Sequence, residues 1–208
     1  MVFGKYLNNE KEKQKEAAPQ RKSREKDEDN LDVEHQDGRI YFYTEVSKAS
    51  ILDLNKAIRS SEEEMLHTAN VLDIPPPHIK IHINSPGGSL FDGLAAVDYV
   101  RKCKVPVHSI VEGMAASAAT LISVMAHKRS INKHSYMLIH QLSSGAIGKF
   151  EELMDDMENN KALMKAIREI YLARTKIPEN LLKDILKKDI YFDAKQCLKY
   201  GLVDNILE

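Results

Sequence analysis

The chain has 208 residues, of which 43% are hydrophobic and 29% charged, and this balance excludes a collagenous or wholly disordered protein. Its 30 basic and 31 acidic residues leave a net charge of −1, which gives no reason to expect nucleic acid or an acidic membrane surface as a partner. The two cysteines cannot form a disulfide framework and suit a reducing compartment. No apolar run approaches the roughly 18–20 residues of a membrane span, and the N-terminus lacks an apolar signal core. We therefore expect a soluble, cytoplasmic protein.

Residues 1–37 differ in composition from the rest of the chain, with 8 basic and 10 acidic residues and few apolar ones. Such a segment buries too little apolar surface to offset the entropy of ordering it. We expect a mobile N-terminal tail over 1–37, with a gating or docking arm as the functional alternative, and one folded domain over 38–208.

Strand and helix patterns alternate from Gly38 onward. Runs rich in β-branched or alternating residues predict strands over 39–44, 78–83, 105–111 and 136–139. Helical spacing of apolar residues, or a run of small residues, predicts helices over 47–66, from after Gly88 to about 102, and over 114–125, 150–172 and 178–186. Ser47 or Ser50 can cap the first helix. Strand–helix alternation at this spacing implies βαβ units, a mostly parallel sheet and the α/β class.

The loop Asn84-Ser85-Pro86-Gly87-Gly88 follows a predicted strand and is the first candidate site. Two adjacent glycines allow the backbone to approach a substrate closely and leave amide N–H groups pointing outward. The same residue types also form plain turns, so the loop alone does not establish a site.

Ser117 lies where a predicted strand passes into a helix, within Gly113-Met-Ala-Ala-Ser117-Ala-Ala. A serine in this position is usually only a helix cap. However, the neighbouring alanines leave space around the hydroxyl, and the Ala118 amide and the helix dipole favour negative charge beside it. These features suit a nucleophile whose acyl adduct carries an oxyanion. The motif is not the GxSxG elbow, which disfavours an α/β-hydrolase.

His140 ends an apolar strand, where a histidine is more often structural than catalytic. Ser117 and His140 end neighbouring βα units and could meet above the carboxyl edge of a parallel sheet. A serine nucleophile needs such a base, and the base needs a carboxylate to fix its tautomer. The downstream candidates, among which chemistry alone does not choose, are Asp184, Asp189, Asp193 and Asp204.

The remaining histidines lack the spacing of metal ligands. His78 and His82 share one face of a predicted strand, but no third ligand accompanies them nearby. We interpret both as solvent-facing residues and predict no metal site.

Four motifs occur in the order found in the ClpP family of serine peptidases, which the chain resembles from about residue 38 to 207. They are Asn84-Ser-Pro-Gly-Gly88, Gly113-Met-Ala-Ala-Ser117, Met137-Leu-Ile-His140-Gln141 and Tyr200-Gly-Leu-Val-Asp204. The resemblance implies that Ser117 is the nucleophile, His140 the general base and Asp189 the third member of the triad. It also implies an oxyanion hole formed by the amides of Gly88 and Ala118.

The resemblance further implies where an extended substrate would add as a strand. The expected substrate-binding residues are Gly87, Gly88, Ser143, Ser144 and Gly145.

The implied architecture is a β-superhelical, crotonase-like core of βαβ units, from which a helical handle projects at about 143–175. Family members form rings of seven subunits, single or stacked face to face, around an inner chamber. AAA+ unfoldases feed them unfolded polypeptide and supply the ATP dependence. The peptidase itself is expected to need no cofactor, and the sequence has no P-loop.

Several positions depart from the family's pattern. Ile190 replaces the arginine that usually follows the catalytic aspartate, and Gln141-Leu-Ser-Ser-Gly145 replaces a Gln-Pro and glycine pair. Lys80 and His82 stand on a strand that usually offers aromatic residues to the unfoldase, which removes apolar burial from that contact. We predict a divergent member, such as a phage genome encodes, with weak or altered coupling to a partner.

Two alternatives to an active serine endopeptidase remain. A crotonase-like acyl-CoA hydratase or isomerase shares the core and a two-amide oxyanion hole but needs no serine nucleophile. A non-catalytic ClpP-like ring subunit would keep the fold and modulate an active partner. Filled triad positions favour the peptidase over both, since only nucleophilic catalysis requires all three groups.

Overall fold

The computed structural model describes residues 33–208, so the prediction for residues 1–32 of the tail lies outside the described residues. Strands β1 (Val33–Gln36) and β2 (Arg39–Phe42) form an antiparallel hairpin. Its two-residue turn, Asp37-Gly38, has φ of 51° and 70°, the left-handed pair that matches the twist of a hairpin. Strand β1 lies within the segment assigned to the tail, so the folded part of the chain begins before Gly38.

The rest of the described chain alternates strands and helices, which confirms the α/β class. The further strands are β3 (Ile79–Ser85), β4 (Val107–Ala116), β5 (Lys128–Asn132), β6 (Tyr136–Leu138), β7 (Phe192–Asp193) and β8 (Asn205–Leu207). The helices are α1 (Lys48–Leu72), α2 (Leu90–Lys102), α3 (Ala118–Met125), α4 (Phe150–Arg174), α5 (Glu179–Ile185) and α6 (Ala194–Lys199).

The sheet has the strand order β1-β2-β3-β4-β5-β8, and all pairs after the first hairpin are parallel along this path. Strand β4 pairs with β3 and with two further strands, β5 and β6. Its first part, 108–111, pairs with β5, whereas 114–116 pair with β6, which in turn pairs antiparallel with β7. Gly113, at φ 75°, lies between the two parts. The carboxyl end of β4 therefore exchanges β5 for β6 as its neighbour, while Ala115 stays paired with Ser85 of β3, and the candidate residues lie at this end.

Helix α1 begins as predicted but is longer at its C-terminal end. Ser47 and Ser50 cap it together: each side-chain oxygen accepts from the other residue's backbone N–H, at 3.2 and 3.0 Å. The predicted end at residue 66 is wrong, because no helix breaker precedes Asp73, whose left-handed conformation at φ 51° ends the helix.

The predicted helix over 114–125 is also wrong in its first turn. Residues 114–116 are the end of β4, and helix α3 begins only at Ala118. Alanine and methionine carry little strand preference by themselves, so pairing with β6 decides the conformation here.

The apolar side chains of β3, Ile79, Ile81 and Ile83, are at most 1% exposed and pack beneath helices α1 and α3. Helix α4 contacts α3 through its C-terminal half, where Ile167 and Tyr171 are buried, and its N-terminal half is largely exposed. No helix within the described residues combines the length and the hydropathy that a membrane span needs.

Candidate active site

Ser117 occupies a strained turn between β4 and α3. Its φ of 53° and ψ of −126° lie outside the conformations that non-glycine residues readily adopt, and such strain costs on the order of 1–3 kcal/mol. The backbone N–H donates to Leu138 O at 2.8 Å, which ties the turn to β6. Within residues 33–208 the hydroxyl makes no capping hydrogen bond. The serine is therefore not a simple helix cap.

Ser117 and His140 line one cavity of about 340 Å³, together with Gly88, Ala118 and Ser143. The apolar part of its wall includes the side chains of Pro86, Leu90, Leu121, Leu142, Ile167 and Tyr171. Within the described chain no hydrogen bond joins the Ser117 hydroxyl to the imidazole, and such contacts often tighten only when a substrate binds.

His140 is oriented by Asp189, whose Oδ1 lies 2.8 Å from the ring Nδ1. Because a carboxylate oxygen can only accept, Nδ1 carries a hydrogen, and in the neutral imidazole Nε2 is then left with a free lone pair. The backbone around His140, which follows β6, is also held, since Ile139 is fully buried and the Gln141 N–H donates to Leu186 O at 2.7 Å. The imidazole is thus held in the tautomer that can accept a proton.

The other three candidate carboxylates are engaged elsewhere in the described chain. Asp184 lies 3.4 Å from the Lys187 ammonium, and Asp193 accepts from the Gln196 N–H as the cap of α6. Asp204 receives two hydrogen bonds from the Arg129 guanidinium and one from its backbone N–H.

Gly87 and Gly88 bring the loop after β3 directly against the Ser117 turn. Both have positive φ, 90° and 146°, and a Cβ on Gly87 would lie 2.6 Å from the Ser117 Cβ. A Cβ on Gly88 would overlap the Val46 carbonyl. The Val46 N–H donates to Gly87 O, and the Ser89 N–H donates to Val46 O, so the loop is held on both sides of Gly88. Only glycine fits at these two positions.

Two backbone amides are available beside the Ser117 hydroxyl. Among the backbone hydrogen bonds of residues 33–208, none is donated by the amide of Gly88 or Ala118. Ala118 is the first residue of α3, where an N–H has no partner inside its helix. Both residues line the same cavity, so the arrangement offers two unused donors and a helix N-terminus to an anion.

The segment 143–145 reaches the cavity only in part. Ser143 lines it, whereas Ser144 lines a neighbouring groove with Phe91 and Asn160. Gly145 is exposed, and a Cβ there would meet no atom within 4 Å.

A family model described as Clp protease matches residues 35–208. The chain belongs to the Clp protease family. The predicted resemblance to the ClpP serine peptidases is thereby confirmed, and with it the crotonase-like α/β fold and the hydrolase class.

Curated relatives carry matching names. An ATP-dependent Clp protease proteolytic subunit of Deinococcus radiodurans is 34% identical over 137 residues, which cover 64% of this chain and 67% of the relative. The ATP-dependent Clp protease proteolytic subunit 2 of Parasynechococcus marenigrum is 28% identical over 173 residues, which cover 80% of this chain and 87% of the relative. A proteolytic subunit 1 of Prochlorococcus marinus is 28% identical over 171 residues.

The prediction that His78 and His82 both face solvent is wrong for His82 of this Clp protease, whereas His78 is exposed. The His82 side chain is only 13% exposed; its Nδ1 lies 2.8 Å from Glu112 Oε1 and its ring stacks on Tyr41 at 4.7 Å. Alternation along a strand identifies a shared face but not what neighbouring strands place on it. Here Tyr41 is the register partner of His82 on β2.

Sequence reasoning also missed Thr120 and Tyr171 of this Clp protease. The Tyr171 hydroxyl lies 2.5 Å from Thr120 Oγ1, which lies 2.6 Å from the Ser117 carbonyl oxygen. Nothing in the sequence pairs two residues 51 positions apart, and a buried tyrosine in a helix is ordinarily a core residue.

Proposed function

We propose that this chain is the proteolytic subunit of an ATP-dependent Clp-type protease, which cleaves unfolded polypeptides in the cytoplasm. Ser117 is the nucleophile, His140 the general base and Asp189 the carboxylate that orients the base. The observation that carries the proposal is the 2.8 Å contact of His140 Nδ1 with Asp189, in a cavity that also holds an uncapped serine hydroxyl on a strained turn.

The reaction follows from these groups. His140 Nε2 accepts the Ser117 hydroxyl proton as Oγ attacks the scissile carbonyl, and the oxyanion that forms accepts hydrogen bonds from the amides of Gly88 and Ala118. Each such donor is typically worth about 2.7–4 kcal/mol of barrier. The imidazolium then protonates the leaving amine. A water molecule, deprotonated by the same histidine, hydrolyses the acyl-enzyme and releases the serine.

The substrate is an extended polypeptide held mainly by its backbone. The apolar cavity wall suits a hydrophobic side chain next to the scissile bond. Gly88 and Ser143 both line the cavity, and with the adjoining Gly87 they offer backbone groups to the main chain of the substrate. Recognition through backbone hydrogen bonds gives broad specificity, with a preference for apolar residues before the cleaved bond.

The chain works in a homo-oligomeric ring, a heptamer or a double heptamer, whose chamber restricts access to unfolded chains. Exposed apolar side chains on the N-terminal half of α4 support an assembly surface: Phe150, Leu153, Met154 and Met157 are 40–72% exposed. An AAA+ unfoldase supplies the substrate, but Lys80 and His82, whose ring contacts the Glu112 carboxylate, leave little apolar surface for it on β3. The two free cysteines agree with a reducing compartment.

A fluorophosphonate probe tests the nucleophile. The assembled wild-type protein should be labelled at Ser117, whereas Ser117→Ala should not, and the exposed Ser60→Ala on α1 should be labelled like wild type. Wild type without labelling in any assembly state would refute the peptidase. If that unlabelled protein still stimulates an active partner subunit, the non-catalytic ring subunit is favoured. Turnover of a crotonyl thioester that survives Ser117→Ala would favour the hydratase.

A further inference from the structure

A buried chain of hydroxyl groups connects α4 to the backbone of Ser117. The Tyr171 hydroxyl lies 2.5 Å from Thr120 Oγ1, and Oγ1 lies 2.6 Å from the Ser117 carbonyl oxygen. The backbone N–H of Thr120 donates to the same carbonyl at 3.0 Å. Tyr171 is 2% exposed and Thr120 is fully buried, so water does not compete for these groups.

The protons along this chain have one consistent arrangement. A carbonyl oxygen can only accept, so Thr120 Oγ1 donates its single hydrogen to Ser117 O. The Tyr171 hydroxyl must then donate to Thr120 Oγ1. Burial raises the pKa of Tyr171, which keeps this donor protonated.

The Ser117 carbonyl is mechanically joined to the candidate oxyanion hole. The C=O of Ser117 and the N–H of Ala118 belong to one planar peptide unit, so the direction of one determines the direction of the other. The Ser117 turn has no conformational preference of its own that would hold this unit, because φ of 53° and ψ of −126° are unfavourable for serine. External hydrogen bonds must hold it instead.

We propose that Thr120 and Tyr171 are positioning residues of the oxyanion hole. They fix the peptide unit between Ser117 and Ala118 so that its N–H points at the developing oxyanion. They also connect that donor to the C-terminal end of α4, where Tyr171 lies. The inference rests on the proposed function, in which Ser117 is the nucleophile and the Ala118 amide a donor.

A purely structural role makes a different prediction. Threonine near a helix start often donates to the carbonyl three residues earlier, and loss of that bond alone would lower stability without a specific effect on the chemical step. An oriented oxyanion donor acts mainly in the transition state, so its loss should lower kcat and leave KM nearly unchanged.

The test uses Thr120→Val, which replaces the hydroxyl by a methyl group of similar size, and Tyr171→Phe, which removes only the hydroxyl oxygen. Full removal of an oxyanion donor typically costs about 10²–10³ in kcat, so a misaligned donor in Thr120→Val should cost about tenfold, with KM changed by less than about twofold. Affinity for a peptide boronate, which forms a tetrahedral adduct, should fall by a similar factor. Thr120→Ser should restore most of kcat.

Tyr171→Phe should lose less, about threefold, because the bond from Thr120 to the carbonyl remains. The double variant should be no slower than Thr120→Val alone, since both act through one hydrogen-bond chain. Thr175→Val is the matched control: its hydroxyl also donates to a carbonyl at 2.7 Å, but to that of Tyr171, and kcat should not change.

The outcomes separate this inference from the proposed function. Wild type that fails to react with the fluorophosphonate probe overturns the proposed function and the inference with it. An active wild type for which Thr120→Val and Tyr171→Phe retain full kcat and boronate affinity, whatever their melting temperatures, overturns the inference alone.

Discussion

Replacing Asp189 by asparagine should remove most of the peptidase activity without unfolding the protein. The carboxylate accepts from His140 Nδ1 at 2.8 Å, and an amide in its place can present an N–H to Nδ1. That contact favours the tautomer whose Nε2 already carries hydrogen and cannot accept the Ser117 proton. Loss of the orienting carboxylate in a triad lowers kcat about 10⁴-fold, or about 5.5 kcal/mol in activation free energy.

The same substitution should have little effect on stability. The Asp189 side chain is 78% exposed, and even a full ion pair in such an exposed position contributes only about 0–1 kcal/mol to the free energy of unfolding, so this hydrogen bond should contribute no more. Asp189→Asn therefore separates the two quantities: a large rise in the activation barrier should accompany a change in unfolding free energy of less than about 1 kcal/mol.

The assay compares kcat for a fluorogenic peptide with the melting temperature of each variant. Asp184→Asn is the matched control, because Asp184 is also exposed and lies on neighbouring α5, and Lys187, at 3.4 Å, is its only ion-pair partner within residues 33–208. It should keep wild-type activity. The reasoning is refuted if Asp184→Asn is the crippled variant, or if Asp189→Asn retains more than about a tenth of kcat.

Gly87→Ala should abolish probe labelling and lower the melting temperature, because its Cβ would lie 2.6 Å from the Ser117 Cβ at φ 90°; normal labelling would contradict the close packing of the two turns. Burial and then the Lys128 charge lower the pKa of His108 to about 4, so the unfolded chain binds a proton below pH 6.5 that the folded chain does not. The unfolding free energy should thus fall as the pH decreases from about 6.5 to 4, by on the order of 2–3 kcal/mol, and denaturant titrations should show a flatter dependence for His108→Gln. Met157→Glu, on the exposed part of α4, should reduce the sedimenting mass of the wild-type assembly, and a monomeric wild type would refute the assembly surface.

The position of Ser117 and His140 at one cavity was predictable from the sequence, whereas the carboxylate that contacts His140 was not predictable from chemistry alone. Ser117 and His140 each end a strand pattern, and the ends of parallel strands meet at one edge of a sheet. Four downstream aspartates are equally suitable partners for His140 on chemical grounds. Their distances from His140 depend on α5 and the short strand β7, whose positions are set by long-range contacts. Only the family resemblance selected Asp189 in advance.

The short strands escaped prediction for a different reason. Strand β5 has the sequence Lys-Arg-Ser-Ile-Asn, and β7 has only two residues, so neither shows a local period that a sequence window can detect. They exist because longer-range pairing holds them. The first part of β4 pairs with β5, whereas the part after Gly113 pairs with β6, and β6 in turn pairs with β7. The bend of β4 at Gly113 is what brings Ser117 beside His140, and composition alone does not reveal it.

The position of α4 follows from contacts at its C-terminal end, and those contacts converge on the Ser117 turn. The Arg174 guanidinium donates to the carbonyls of Val124 and Ala126 at the end of α3, at 3.0 and 2.7 Å, while Tyr171 bonds Thr120 near the start of α3. The helix is therefore attached to both ends of α3. Because a hydroxyl hydrogen bond weakens steeply beyond about 3 Å, α4 cannot slide along α3 by even one ångström without breaking the Tyr171 contact or moving Thr120 with it. Either event would change the support of the Ser117 carbonyl, so a shift of the C-terminal end of α4 would reach the proposed oxyanion donor.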